Sequence, residues 1–116
     1  MTDNKTPFSL SIEEIGTLLA PLGAKVTGSC EEKAAIASLT ADSRTVTEGG
    51  LFVAVNGAVR DGWEFLHTAL EKRPALIVSE HQPTADEFAQ IEAAGAGHIR
   101  ISSSRLALAY LAAAFY

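Results

Sequence analysis

Polar residues that could hold a sugar, a base edge or a phosphate are concentrated between residues 39 and 62. Asp42, Ser43 and Arg44 form one group, directly after the apolar residues of a predicted strand. A second polar loop runs from Asn56 to Gly62. Hydroxyl groups and exposed backbone amides suit base edges, ribose hydroxyls and phosphate oxygens. The pattern therefore indicates a ligand-binding corner and not a plain hairpin.

The first polar group also has a purely structural interpretation. Asp42 can accept backbone N–H groups of its own turn and pair with Arg44, as Asp residues do in many turns. In the ligand-binding interpretation, Ser43 and the backbone around Ala41 make the contacts. The residues by themselves leave both interpretations open, with Asp42 and Arg44 expected to build the corner.

One buried strand separates the two polar loops. Leu51 to Val55 is a five-residue apolar run, long enough for a buried strand and too short for a typical helix. We predict that this run is the central strand of the sheet. A preceding strand, Ala35 to Leu39, is predicted to deliver the Asp42 corner.

Strands alternate with helices along the rest of the chain. Capping boxes at Ser11 with Glu14 and at Thr84 with Glu87 indicate two helix starts. The remaining predicted elements are strands Lys25–Thr27, Ala75–Val78 and Ile99–Ile101, a helix over Trp63–Lys72, and a last helix from Arg105. We therefore predict a single small α/β domain over residues 9–116, with a largely parallel or mixed sheet flanked by helices and a flexible tail at residues 1–8.

The composition narrows the classes of partner. A net charge of −5 argues against a nucleic-acid partner, because such binding needs a basic face. No apolar run approaches the ~18 residues that span a membrane, and the polar amino terminus predicts a cytoplasmic location. His67, His81 and His98 share no metal-ligand spacing, so we expect no metal site and packing or surface roles for them. Trp63 is expected to pack in the core and not to stack on a base.

Three ordered motifs resemble the amino-terminal domain of the Mur ligases, of the MurE type that extends UDP-N-acetylmuramoyl-dipeptide. T-x-D-S-R lies at Thr40–Arg44, V-x-x-G-x-L-F-V-A at Val46–Ala54, and G-x-x-x-D-G at Gly57–Gly62. The segment Ser104–Tyr116 resembles the helix that leads into the ATP-binding domain of the family. The resemblance covers the chain from about Leu10 onward.

The resemblance implies that this chain binds the UDP moiety of UDP-N-acetylmuramoyl-L-alanyl-D-glutamate. The implied contacts are Ala41 and Ser43 in the corner and Ala58, Val59 and Arg60 in the second loop. It further implies a parent enzyme that uses ATP and Mg²⁺ to add meso-diaminopimelate or L-lysine, with its other ligase domains in cis. No G-x-x-x-x-G-K-[ST] loop occurs here, so we expect no catalysis by this chain alone and no cofactor bound to it.

Other functions remain open at this point. A MurF-type ligase, which adds D-Ala-D-Ala, has a similar beginning. The apolar last helix predicts either a fragment cut at a domain boundary or a free-standing, non-catalytic interaction module. Arg60 has the alternative of a solvated surface position. A hydrolase with Ser43 as nucleophile comes last, because the sequence has no G-x-S-x-G elbow.

Overall fold

Residues 10–27, 35–36, 38–57 and 61–115 are described by a computed structural model. The predicted tail at residues 1–8 lies outside the described residues. The elements, in chain order, are β1 (Leu10–Ser11), α1 (Ile12–Leu18), β2 (Lys25–Thr27), β3 (Ala35–Ile36), β4 (Leu39–Thr40), β5 (Leu51–Val53), α2 (Leu66–Glu71), β6 (Leu76–Ser79), α3 (Ala85–Ala93), β7 (Gly97–Arg100) and α4 (Ser104–Phe115). Three short 3₁₀ turns occupy Ala20–Leu22, Ser43–Thr45 and Gly62–Phe65.

The main sheet has five strands in the order β2-β7-β6-β5-β4. Strands β4 to β7 are parallel to their neighbours, and β2 pairs antiparallel with β7 at the edge. A separate antiparallel pair joins β1 to β3. The predicted α/β fold with a mixed, largely parallel sheet is confirmed.

Helices cover both faces of this sheet. Leu51 and Val53 point into a core formed with α1 and α4, whereas Phe52 packs with α2 and α3 on the other face. All three residues of β5 are buried, which is typical of a parallel strand between two helical layers. Within the described part of the chain, no helix has the length and apolar character needed to cross a membrane.

The local helix signals are confirmed. Ser11 Oγ accepts the Glu14 N–H at 3.1 Å and Glu14 Oε1 accepts the Ser11 N–H at 2.9 Å, so both partners of the first capping box are made. The Thr84 and Glu87 pair makes the same two bonds at the start of α3. These contacts are local in sequence, which is why the residue pattern was sufficient to find them.

Three predicted elements are wrong in extent or place. The single strand Ala35–Leu39 is two strands in different sheets, because Ile36 pairs with Leu10 whereas Leu39 pairs with Leu51. The Leu51–Val55 strand ends at Val53 and is next to the edge strand, with β6 at the centre. The helix predicted from Trp63 begins as a 3₁₀ turn and becomes α-helical only at Leu66. An apolar run predicts that a segment is buried, but it does not predict which strands pair with that segment.

Arg73 offers a stability test of the turn between α2 and β6. It has φ of 55° just after the helix, a left-handed conformation that costs a side-chain-bearing residue about 1–2 kcal/mol. We expect Arg73→Gly to raise the free energy of unfolding by about 0.5–1 kcal/mol, after the greater freedom of glycine in the unfolded chain is subtracted. Urea denaturation measures this difference.

The matched control is Lys72→Gly, one residue earlier at φ of −90°, where glycine relieves no strain. This variant should be no more stable than the unmodified chain. An equal gain in both variants would contradict the assignment of strain to Arg73.

Candidate functional site

A cleft of about 650 Å³ opens at the carboxyl-end edge of β4 and β5. Its lining residues are Ala41, Asp42, Ser43, Arg44, Val55, Gly62, Phe65 and Thr68. In open α/β sheets, ligands bind in the crevice outside the carboxyl ends of the strands. The cleft therefore lies where this architecture places ligands.

The first wall of the cleft is the 3₁₀ turn that follows β4. Asp42 Oδ1 accepts the Arg44 N–H at 2.9 Å and Arg44 Nε–H at 3.0 Å, and Asp42 Oδ2 accepts Arg44 Nη2–H at 2.9 Å. The side-chain hydrogen bond from Arg44, with help from its backbone N–H, lowers the pKa of Asp42 to about 2. Asp42 is thus ionised, and its carboxylate is hydrogen-bonded within its own turn. This agrees with the structural interpretation of the motif.

Two threonines hold this turn against the end of β4. Thr40 Oγ1 accepts the Asp42 N–H at 3.0 Å, and it lies 2.6 Å from Thr45 Oγ1. Thr45 donates both its N–H and its hydroxyl to the Asp42 carbonyl, at 2.9 and 3.0 Å. These bonds fix the backbone on either side of Ser43.

Ser43 is the polar side chain that this turn leaves unsatisfied. It is only 7% exposed and borders the cleft, and its hydroxyl has no hydrogen-bond partner among the described residues. Buried hydroxyls without a partner are uncommon because they lose their bonds to water. Ala41 borders the same cleft on its exposed side. The other predicted contacts, Ala58, Val59 and Arg60, lie outside the described residues.

The second wall is the 3₁₀ turn Gly62–Phe65, which packs against the end of β5. Gly62 donates its N–H to the Val55 carbonyl at 2.8 Å. A Cβ atom at Gly62 would lie 2.8 Å from the Val55 nitrogen, so this close approach requires glycine. Asp61 Oδ1 caps the turn by accepting the Trp63 N–H at 3.0 Å. The turn presents Gly62 and Phe65 to the cleft.

Behind the second wall lies an aromatic cluster that the sequence did not reveal. His81 Nε2 lies 2.6 Å from Asp61 Oδ2, and the imidazole stacks on Trp63 with ring centroids 5.0 Å apart. Trp63 donates Nε1–H to Glu87 Oε2 at 3.0 Å and packs in the cluster, as its sequence position predicted. His98 is fully buried beside Ser79, and burial lowers its pKa to about 4. His81 and Asp61 are 20 residues apart, so only the topology brings them together.

Glu80, directly after β6, is hydrogen-bonded to the start of α4, a contact that the sequence analysis did not predict. Its Oε2 accepts the backbone N–H and the hydroxyl of Ser104, both at 2.8 Å, at the first turn of α4. Ser104 Oγ in turn accepts the Asn56 N–H at 2.8 Å, directly after the Val55 that borders the cleft. The Asn56 backbone thus joins the border of the cleft to α4.

The family profile described as "Mur ligase family, catalytic domain" matches residues 35–116. The chain belongs to the Mur ligase family. The match includes the motif residues of both cleft walls, and it confirms the resemblance drawn from them.

Curated relatives agree with this assignment. The chain is 36% identical over 105 residues to the UDP-N-acetylmuramoyl-L-alanyl-D-glutamate--2,6-diaminopimelate ligase of Chlorobaculum tepidum, covering 89% of this chain and 20% of that protein. It is 43% identical over 81 residues to the UDP-N-acetylmuramyl-tripeptide synthetase of Roseiflexus sp., covering 70% of this chain and 15% of that protein. The chain thus spans a fifth or less of the length of these relatives.

A solved structure shares the fold. The CBS and DRTGG domains of the regulatory region of Clostridium perfringens pyrophosphatase align with a TM-score of 0.64 at 14% identity. The alignment covers 97% of this chain and 52% of that one. At this identity the likeness concerns the fold alone.

The described residues contain no group of three or more His, Cys, Asp or Glu side chains that could hold a metal ion.

The link through Glu80 generates a prediction for stability. Glu80→Ala removes the acceptor for two donors of Ser104, which is fully buried, so we expect a loss of about 1–3 kcal/mol in the free energy of unfolding. The Ser104 backbone N–H is the main reason that the pKa of Glu80 is lowered. The stabilisation should therefore be present above the ordinary pKa of 4.5 and be lost as the pH falls through the folded-state value.

Urea denaturation at neutral pH and at a pH below the lowered, folded-state pKa of Glu80 measures both effects. Glu92→Ala is the matched control, because Glu92 is exposed on α3 and no hydrogen bond from its side chain is seen among the described residues. Equal stabilities of the two variants at neutral pH would contradict the structural role of Glu80.

Proposed function

We propose that the cleft binds the UDP end of UDP-N-acetylmuramoyl-L-alanyl-D-glutamate. The observation that carries this proposal is the Ser43 hydroxyl, which is buried at the cleft and has no partner in the described part of the chain. A ligand hydroxyl or phosphate oxygen within the cleft would satisfy it. Names of curated relatives, which specify ligases acting on this dipeptide precursor, support the choice of ligand.

The charges around the cleft are compatible with a diphosphate. Asp42 lies on the cleft, but its carboxylate is paired with Arg44, which reduces its repulsion of an anion. Arg44 Nε and Nη2 bond Asp42, and among the described residues the remaining N–H donors of its guanidinium have no hydrogen-bond partner. Its side chain is 84% exposed at the cleft. The proposed contacts are Ala41 and Ser43, together with the 58–60 loop.

Catalysis is proposed for the parent protein and not for this chain. The sequence lacks a phosphate-binding loop of the G-x-x-x-x-G-K-[ST] type, so its residues do not fit ATP, and we assign no reaction step to them. We propose that other domains in cis, with ATP and Mg²⁺, add the third amino acid in the cytoplasm. The present chain holds the nucleotide end of the substrate, whose binding energy can position the distant reacting group.

A protein-interaction module is the second candidate. Leu106 is 49% exposed and Tyr110 36% exposed on α4, which gives this helix an apolar outer face. Such a face is typical of a contact with another protein or domain. Binding of UDP by the isolated chain separates the two candidates, because a module that acts only through this face has no need of the cleft.

Ser43→Ala tests the proposal directly. Loss of one hydrogen bond to the ligand, about 1 kcal/mol, should weaken UDP binding roughly fivefold. The free energy of unfolding should not fall, and should rise by up to about 1–3 kcal/mol, because the buried hydroxyl that is removed has no partner within the described residues. Amide chemical shifts followed during a UDP titration give the affinity, and urea denaturation gives the stability.

Ser102→Ala is the control, since Ser102 is exposed after β7 and lines a separate pocket with Lys25 and Arg100, on the β2 side of the sheet. It should bind UDP like the unmodified chain. Unchanged affinity in Ser43→Ala, or an equal loss in both variants, would remove Ser43 from the ligand site.

A further inference from the structure

His81 lies outside the cleft but contacts the turn that forms the second wall. It follows β6 at the carboxyl-end edge of the sheet, and its Nε2 lies 2.6 Å from Asp61 Oδ2. Its ring stacks on Trp63 at an interplanar angle of 15°. One side chain thus touches both the capping residue of the turn and an aromatic residue within it.

The contact reaches the cleft through Asp61. While Oδ2 faces His81, Oδ1 accepts the Trp63 N–H at 3.0 Å, so the carboxylate joins the imidazole to the turn backbone. The turn that begins directly after Asp61 presents Gly62 and Phe65 to the cleft. The Asp61 carboxylate therefore connects His81 to the turn that forms the second wall.

Several ionisable groups lie around His81. Partial burial opposes the charge on Asp61, but hydrogen bonds from the Trp63 N–H and from His81 lower its pKa overall. The Ser104 N–H and the Thr84 N–H are the largest causes that lower the pKa of Glu80 and of Glu87. His98, with its pKa near 4, is neutral at physiological pH, and Arg100 acts on it from the same strand. Protonated His81 thus faces ionised carboxylates and the indole ring of Trp63.

We propose that His81 is a positioning residue of the nucleotide cleft, which fixes the turn bearing Gly62 and Phe65 through Asp61 and holds it more firmly when the imidazole is protonated. Imidazoles in proteins commonly change charge between about pH 5 and pH 8. Deprotonation removes the charge of the imidazole but leaves a hydrogen bond to the ionised Asp61, so the contact weakens without being lost. This inference rests on the proposed nucleotide function of the cleft.

The first experiment compares ligand affinity at two pH values. The probe is UDP-N-acetylglucosamine, whose doubly esterified diphosphate keeps its charge over this range. We expect the unmodified chain to bind it roughly three- to fivefold more tightly at about pH 5.5 than at about pH 8. In His81→Gln, the amide can still donate to Asp61 but cannot take a charge, so its affinity should be equal at both pH values and near that of the unmodified chain at the higher one.

His67→Gln is the matched control, because His67 is exposed and bonds Gln90 outside the cleft. It should keep the pH dependence of the unmodified chain. A pH dependence that persists in His81→Gln, or one that disappears in His67→Gln, would overturn the assignment.

A second measurement needs no ligand. Trp63 is the only tryptophan of the chain, so its fluorescence reports on the stacked imidazole. In the unmodified chain, the fluorescence of Trp63 should change with pH, and the amide shifts of Gly62 and Phe65 should change with the same midpoint. In His81→Gln, these pH-dependent changes should be absent. Amides of Gly62 and Phe65 that do not follow this midpoint would overturn the positioning role. Failure of the unmodified chain to bind the UDP-sugar at either pH would instead reject the nucleotide function.

Discussion

The parallel pairing of β4 to β7 is the constraint on which the site depends. The pairs Leu39 with Leu51, Leu51 with Leu76, and Leu76 with Gly97 align the four strands in one direction. Their carboxyl ends consequently meet at one edge of the sheet, and the polar residues that follow each strand come together there. Without this alignment, groups that are distant in the chain would have no common site.

Each wall of the cleft is a 3₁₀ turn capped by an aspartate, and each of these aspartates contacts a basic side chain. Asp42 caps one turn and pairs with Arg44, and Asp61 caps the other and pairs with His81. Exposed ion pairs contribute little to global stability, so their main effect here is to fix backbone geometry. The Ser43 hydroxyl takes no part in these contacts, and Ser43 borders the space between the two walls. Within the described residues, the supports of the two turns are satisfied, whereas the Ser43 hydroxyl at the border of the cleft has no hydrogen-bond partner.

How much the sequence could predict depends on the distance between contacting residues. The Ser11 capping box and the Asp42 pair with Arg44 involve neighbours in sequence, and the residue pattern found both. The contact of Asp61 with His81 spans 20 residues, and no local pattern encodes it. The bond from Asn56 to Ser104 spans 48 residues and depends on where β5 ends beside α4. Family motifs located the cleft because they mark loop residues, whereas the supports behind it required the topology.

The most direct test of the nucleotide cleft is an isotope-filtered nuclear Overhauser measurement on the labelled chain with unlabelled UDP. The account predicts contacts from the ribose or uracil protons to the Ser43 and Phe65 side chains, which line opposite walls. Protons of Ser102, which lines a separate pocket on the β2 side of the sheet, should show none. Contacts confined to residues outside the cleft, or no contacts at a UDP concentration that saturates the shift changes, would contradict the account.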